Sequence, residues 1–439
     1  MLLISCKKES SNSVNSNDPY IPEWVFKHWI WEDEGTTASA KQLADDYIAN
    51  GIPVDAINID SPWETEYNTF EIDTTRYNDA KGMVDYFHSK NIKIIFWITG
   101  IVDTNVHPLY DSLKAMKYFM QGGKNGSATV THWWKGDGSL FDYWNPAAAD
   151  FIHRGMDKAL DLGIDGWKCD GTDYYSLFSP YSPGAGKNIS RNDYSKMYYQ
   201  FFSDYSKLKR GKDALIMARP CDNYGVELLS GDLVAFAPKN LIFAGWVGDQ
   251  DATFDGLKKA LNNMYRSYEY GYLIFGSDIG GYREDDSYPL KRSKELFIRW
   301  AQLGAFSGLM ENGGGGEHRP WIFDSQTKDI YKKLVLLRQQ MVPYLMSSAK
   351  TAYNAHRSLM QFSNSSTYPF FLGSDIYVTP ILNKDGTVSV KFPADGKWVY
   401  LYDKTKVYDG GSTADLTLPL EEFPVFIRQG SEWVDKLNP

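Results

Sequence analysis

The chain has 439 residues, 43% of them hydrophobic and 15% aromatic, and a formal net charge of −9. That length can bury a large core and suits two domains. The acidic balance without a long basic run excludes nucleic acid as the expected partner, and seven histidines with no His-Glu-x-x-His and no Cys-x-x-Cys give no reason to expect a metal or another cofactor.

Residues 1–20 read as a start and a tether. Leu3-Ile-Ser-Cys6 resembles a bacterial lipobox, and a Ser/Asn-rich stretch from Glu9 to Asp18 follows it. The expectation is lipid anchoring to a membrane through Cys6, in the bacterial cell envelope. Only Met1 to Ser5 precede the cysteine, so a complete leader would have to start upstream. Cys169 and Cys221 lie at or just beyond strand ends and read as buried thiols rather than a disulfide.

Residues 21–348 alternate short apolar runs with longer amphipathic stretches. The runs predict strands at Trp24–Trp31, Val54–Asp60, Ile92–Thr99, Ile164–Asp170, Ala214–Arg219, within Leu233–Trp246, at Tyr272–Asp278 and at Ala305–Met310. Helical patterns separate many of them, at Ser39–Asn50, Tyr77–Lys90, Ala147–Leu162, Asp193–Lys209, Phe254–Tyr270 and Lys294–Leu303. Eight strands with intervening helices predict an α/β fold, a (β/α)8 TIM barrel. Asp324–Met346 reads as a closing helix. In residues 349–439 the pattern changes to short strands with turn residues between them, predicting a small antiparallel β-sandwich.

Chemistry is expected where barrel strands end, because the C-terminal face of such a barrel carries the active site. Asp60, Asp170, Arg219 and Asp278 each end a strand-like run. Alternation puts Lys168 and Asp170 on one face of their strand, with Trp167 and Cys169 on the other. A second carboxylate, Asp249, follows Trp246 in Trp246-Val-Gly-Asp249. Any one of these alone would more often be a cap or a structural ion pair. Together, two aspartates from different strands make the paired-carboxylate site of glycosidic-bond cleavage. One must be ionised, helped by a neighbouring cation such as Lys168 or Arg219. The other must hold a proton, and Asp251 nearby offers a like charge that would help. The many aromatic side chains, Trp97 and Trp246 among them, are candidate sugar platforms, although most aromatic rings belong to cores.

The motifs resemble those of glycoside hydrolase family 31, whose members are mostly retaining α-glycosidases. Asp165-Gly-Trp-Lys-Cys-Asp170 matches the nucleophile segment, and Trp246-Val-Gly-Asp249 followed by Gln250 the acid/base segment. Asp278-Ile-Gly-Gly281, Ile59-Asp-Ser-Pro-Trp63 and Pro424-Val-Phe-Ile-Arg-Gln-Gly430 follow the family pattern as well. The resemblance implies that Asp170 is the nucleophile and Asp249 the acid/base. It implies that Lys168, Asp60, Arg219 and Asp278 bind an α-linked oligosaccharide or glycoside. Three features depart from the family. Asp173 stands where a glutamate is usual. A glycine takes the place of a sugar-binding histidine after strand eight, in Met310-Glu-Asn-Gly-Gly-Gly-Gly-Glu-His-Arg-Pro-Trp321, leaving His318 and Glu317 as weak candidates. The family's usual N-terminal β-sandwich does not precede the first strand, as in a short or truncated form. The first two weaken the expectation of ordinary maltose-type activity.

Three other readings compete. A non-catalytic carbohydrate-binding protein on the same scaffold would not need both Asp170 and Asp249. An α-transglycosylase would share the covalent intermediate. An aldolase would use Lys168 as a Schiff-base amine.

Overall fold

The structure is a computed structural model, and it describes residues 19–170, 179–222, 234–235, 237–284 and 291–439. A parallel sheet curls through seven strands in the order Ala244–Gly245, Leu215–Ala218, Gly166–Asp170, Lys93–Thr99, Ala56–Ile59, His28–Glu32 and Met310–Asn312. Its two edges meet through the remaining segment, residues 272–279. Trp246 bridges Gly276 and Asp278 bridges Glu311, both parallel, so the remaining position of the ring, the seventh in chain order, is filled by bridges rather than by a full strand. The curled sheet and the sandwich after it match the architecture expected from the sequence.

The strands are apolar on both faces because barrel contents lie inside and helices outside. Ile94, Ile95, Phe96 and Ile98 are all buried on one strand, and Trp167 packs on its outer side against Trp63 and Phe202. The surrounding helices are Thr37–Ala49, Ala80–Ser89, Pro146–Leu160, Arg191–Arg210, Phe254–Tyr270 and Lys294–Ala305. Thr36, Asp79, Asn145, Ser190, Thr253 and Ser293 each accept a backbone N–H at the start of one of them.

Several boundaries differ from the sequence expectation. Glu23–Phe26 forms a 3-10 helix, so the first strand begins at His28 instead of Trp24. The last barrel strand is Met310–Asn312, because Ala305 still belongs to the preceding helix. The closing helix runs from Ser325 to Asn354, past the expected boundary at 348. Its buried Arg338 donates to the carbonyls of Phe26 (2.6 Å) and Gly308 (2.7 Å), pinning the helix to the first and last barrel segments.

The C-terminal region holds a six-stranded antiparallel sheet, in the order Met360–Phe362, Phe370–Leu372, Ile376–Val378, Val425–Arg428, Lys397–Tyr400 and Asp403–Asp409. A separate pair, Thr387–Lys391 with Thr413–Thr417, completes it. Buried Arg299, on a barrel helix, donates to the carbonyls of Glu422 (2.8 Å) and Leu418 (3.0 Å) and so ties the two regions together.

Candidate active site

The strand ends converge on one face. Pairing sets Trp97 beside Lys168 and Thr99 beside Asp170, while Met217 lies beside Lys168 on the other flank. Side-chain alternation then directs Lys168 and Asp170 inward together. The first aspartate of the same motif does something different. Asp165 sits before the strand, held by His88 (2.8 Å), Lys93 (2.9 Å) and the Ile94 amide (3.0 Å).

Arg219 is the hub. Its Nη2 lies 2.9 Å from Asp170 Oδ1 and 3.2 Å from Asp249 Oδ1, and its other terminal nitrogen bonds Asp222. The guanidinium lies 4.6 Å from the centroid of the Trp246 ring. Trp97 Nε1 donates to the second Asp170 oxygen at 3.1 Å. Burial alone would raise the Asp170 carboxyl, but the charges of Arg219 and Lys168 and these hydrogen bonds outweigh it and hold it below the usual range. The Asp170 and Asp249 side chains keep 19% and 17% exposure, against 2% for Arg219. The two aspartates are therefore the groups a ligand at the mouth can reach.

The glycine before Asp249 has a structural reason. Gly248 has φ +97°, and a β-carbon there would lie 2.2 Å from Asp222 Oδ2. Only glycine lets the loop pass Asp222 and still present Asp249 to Arg219.

Below the mouth, Lys168 Nζ donates to Asp60 at 2.8 Å and lies 3.7 Å from the centroid of the Trp31 ring. Asn58 Nδ2 and the Ser61 amide complete the Asp60 shell. Burial would lower the lysine, yet the charges of Asp60, Asp278, Glu311 and Asp170 outweigh it and hold Lys168 above its ordinary value. A lysine held charged in this way is the opposite of the neutral amine a Schiff base requires.

Asp278 and Glu311 form a buried carboxyl pair. Burial first, then the Glu311 charge, pushes Asp278 well above the carboxylate range, and burial raises Glu311 too. Among the described residues, no N–H or hydroxyl reaches either Asp278 oxygen or Glu311 Oε2, and the contact between the two carboxyls raises Asp278 while lowering Glu311. Glu311 Oε1 accepts from Trp31 Nε1 at 2.9 Å.

The structure thus gathers Asp60, Trp97, Lys168, Asp170, Arg219, Trp246, Asp249 and Asp278. His318 stands apart from them. It is buried, with Nδ1 3.3 Å from Asn312 Oδ1 and Nε2 3.1 Å from the Gly315 carbonyl, and burial with the neighbouring Arg292 charge keeps it well below its usual value. Glu317 pairs with Arg319, and Asp251 with Arg283. Cys169 and Cys221 are both buried. Cys6, the tether and Asp173 lie outside the described residues.

Five residues of this cluster were not singled out from the sequence. Trp31 lies within the first strand and Asp33 directly past its end. Glu311 lies in the last strand, and Tyr282 directly after Asp278-Ile-Gly-Gly281. Asp222, three residues beyond Arg219, completes the set. Burial first, then the Asp60 charge, pushes Asp33 up to about 7, against the Lys168 charge and a hydrogen bond with Tyr282. A strand-end charge was the available signal for Glu311; Asp33 lies past the end of its strand, where alternation no longer fixes direction.

Two family models match the chain, one described as glycosyl hydrolases family 31 TIM-barrel domain over residues 18–348, the other as the C-terminal domain of the same family over 353–431. An α-xylosidase of Emericella nidulans is 26% identical, over 94% of this chain and 53% of that protein. An isomaltosyltransferase of Sporosarcina globispora is 25% identical, over 97% and 42%. A solved α-xylosidase from a soil metagenome, complexed with xylose, superposes with a TM-score of 0.82 at 22% identity, over 96% of this chain and 65% of that one. The chain spans about half the length of the curated relatives it matches.

Proposed function

The chain belongs to glycosyl hydrolase family 31, and from that premise we propose that it is a retaining α-glycosidase with Asp170 as nucleophile and Asp249 as acid/base. The observation that carries this reading is the shared Arg219 nitrogen. At 2.9 Å from one carboxylate oxygen and 3.2 Å from the other, it limits those oxygens to a separation of at most about 6 Å. Retaining pairs lie ~5–5.5 Å apart and inverting pairs ~6.5–9.5 Å apart.

The steps follow from the geometry. An Asp170 oxygen attacks the anomeric carbon as the glycosidic C–O bond breaks, and the leaving oxygen takes the proton of Asp249. Water then gives a proton to Asp249 and attacks the anomeric carbon, releasing Asp170 and a sugar of the original α configuration. Asp60, with Lys168, Trp97, Trp246 and Asp278, would line the sugar site. An acceptor sugar in place of water would make the same centre a transglycosylase, and the isomaltosyltransferase among the relatives gives that second reading its support. NMR of the first-formed product from an aryl α-glycoside tests the proposal. The α-anomer is expected; the β-anomer as first product would refute double displacement.

For location, the lipobox-like Leu3-Ile-Ser-Cys6 supports lipid anchoring at the cell envelope. Expressed with a complete leader, the protein would partition with membranes and the Cys6→Ser variant would not. A native product with unmodified Cys6 in the cytoplasm would remove this reading.

A further inference from the structure

A row of aromatic rings leads outward from the nucleophile. Trp97, whose indole bonds Asp170 at 3.1 Å, lies 5.2 Å from Tyr67 between ring centroids. Tyr67 lies 5.4 Å from Trp133 and 5.7 Å from Trp134. The row ends at Trp134, the one exposed tryptophan among the described residues, with 51% of its surface open. Its neighbours hold it in place. Strand Ile101–Asp103 continues from the third barrel strand and pairs with Gly136–Leu140, which pairs in turn with Thr131–Trp133. Trp133 is buried and donates to Asp103 at 2.6 Å, and Tyr67 is tied at 2.5 Å to Ser61, the residue after Asp60. Lys135 lies 4.4 Å from the Trp134 ring centroid.

Trp134 rests on Tyr67 and Trp133 on one side, which fixes the ring and leaves its other side open to solvent. Indole faces stack on the C–H faces of pyranose rings, and a charged donor beside the ring suits sugar hydroxyls. We propose that Trp134 and Lys135 form a platform for the leaving-group side of an α-linked oligosaccharide, one or more sugars beyond the bond cut at Asp170. The occupant follows from continuity. Trp97, Tyr67 and Trp133 are buried, and the hairpin that carries Trp134 pairs with the continuation of the strand whose Trp97 bonds the nucleophile, so the exposed indole stands on the barrel face where Asp170 lies. This rests on the glycosidase reading and adds a preference for oligosaccharides over simple glycosides.

The test compares the unaltered chain with the Trp134→Ala and Trp134→Tyr variants. Maltotriose, isomaltotriose and an aryl α-glucoside and α-xyloside serve as probes, and tryptophan fluorescence follows titration of the trisaccharides. Trp134→Ala should lower the ratio of trisaccharide to aryl-glycoside kcat/KM about tenfold, and weaken trisaccharide binding by a similar factor. Trp134→Tyr, which keeps a stacking face, should retain most of both. An unchanged ratio and unchanged binding in Trp134→Ala would overturn the platform. Cleavage of aryl glycosides without binding of either trisaccharide would overturn it too, while leaving the proposed chemistry standing. Failure to cleave any glycoside would strike the chemistry instead, and the binding titration would still decide the platform.

Discussion

Trp31 lies directly against the α-carbon of Gly313: a β-carbon on that glycine would sit 2.2 Å from the indole Cδ1. The same indole bonds Glu311 and stacks on Tyr282, with 5.9 Å between ring centroids. The glycine after the last strand therefore makes room for a tryptophan from the first strand, so the sugar-binding histidine common in the family has no space here. Gly313→Ala should destabilise the protein by about 1–3 kcal/mol, as overpacking does, and lower kcat/KM. Thermal melting and kinetics check this. An unchanged Tm would mean that the indole moves aside freely.

The buried ion pair gives a larger effect. Lys168→Met would leave Asp60 without its cation close to the buried carboxyl pair of Asp278 and Glu311. Removing one partner of a buried pair costs about 3–5 kcal/mol. The double variant Lys168→Met with Asp60→Asn should recover part of that loss, which chemical denaturation would read as a coupling energy. Additive losses would contradict the pairing.

Much of this arrangement was legible in the sequence, and the limits have physical causes. Asp170, Arg219 and Asp278 stand out because a charge ending an apolar run has few packing explanations. The sixth strand is two residues long and the seventh position is made of bridges, too little chain for a periodicity to register. Strands Met360–Phe362 and Phe370–Leu372 are three residues each, too short for alternation to mark them in the sequence. The contact of Trp31 with Gly313 spans nearly the whole barrel, and no local pattern encodes it.

Asp249 and Asp251 separate by partner. Asp249 shares Arg219 with Asp170, and Asp251 pairs with Arg283 at 3.3 Å. Asp249→Ala should lose about 10²–10⁴-fold in kcat/KM on substrates with poor leaving groups and far less on activated aryl glycosides. A leaving-group series for both variants checks this. The opposite pattern, with Asp251→Ala the sensitive one, would reassign the acid.

Asp33 sets a pH dependence. Its folded value, about 7, lies above the ordinary 3.8 of an aspartate. The native state then binds the proton more tightly than the unfolded chain, so this contribution is complete below about pH 4 and is lost as pH rises through 7. Asp33→Asn should flatten the decline in stability between those values. Denaturation across pH 4–8 measures it, and an identical slope in both proteins would contradict the assignment.

The central claim is that Asp170 attacks the anomeric carbon, and rescue of Asp170→Ala by azide tests it most directly. Without azide, the variant should lose several orders of magnitude in turnover of an activated aryl α-glycoside. With azide, turnover should partly return, and the product should be the β-glycosyl azide, because azide enters from the side the carboxylate vacated. Near-normal turnover without azide, or an α-glycosyl azide as the rescued product, would contradict it.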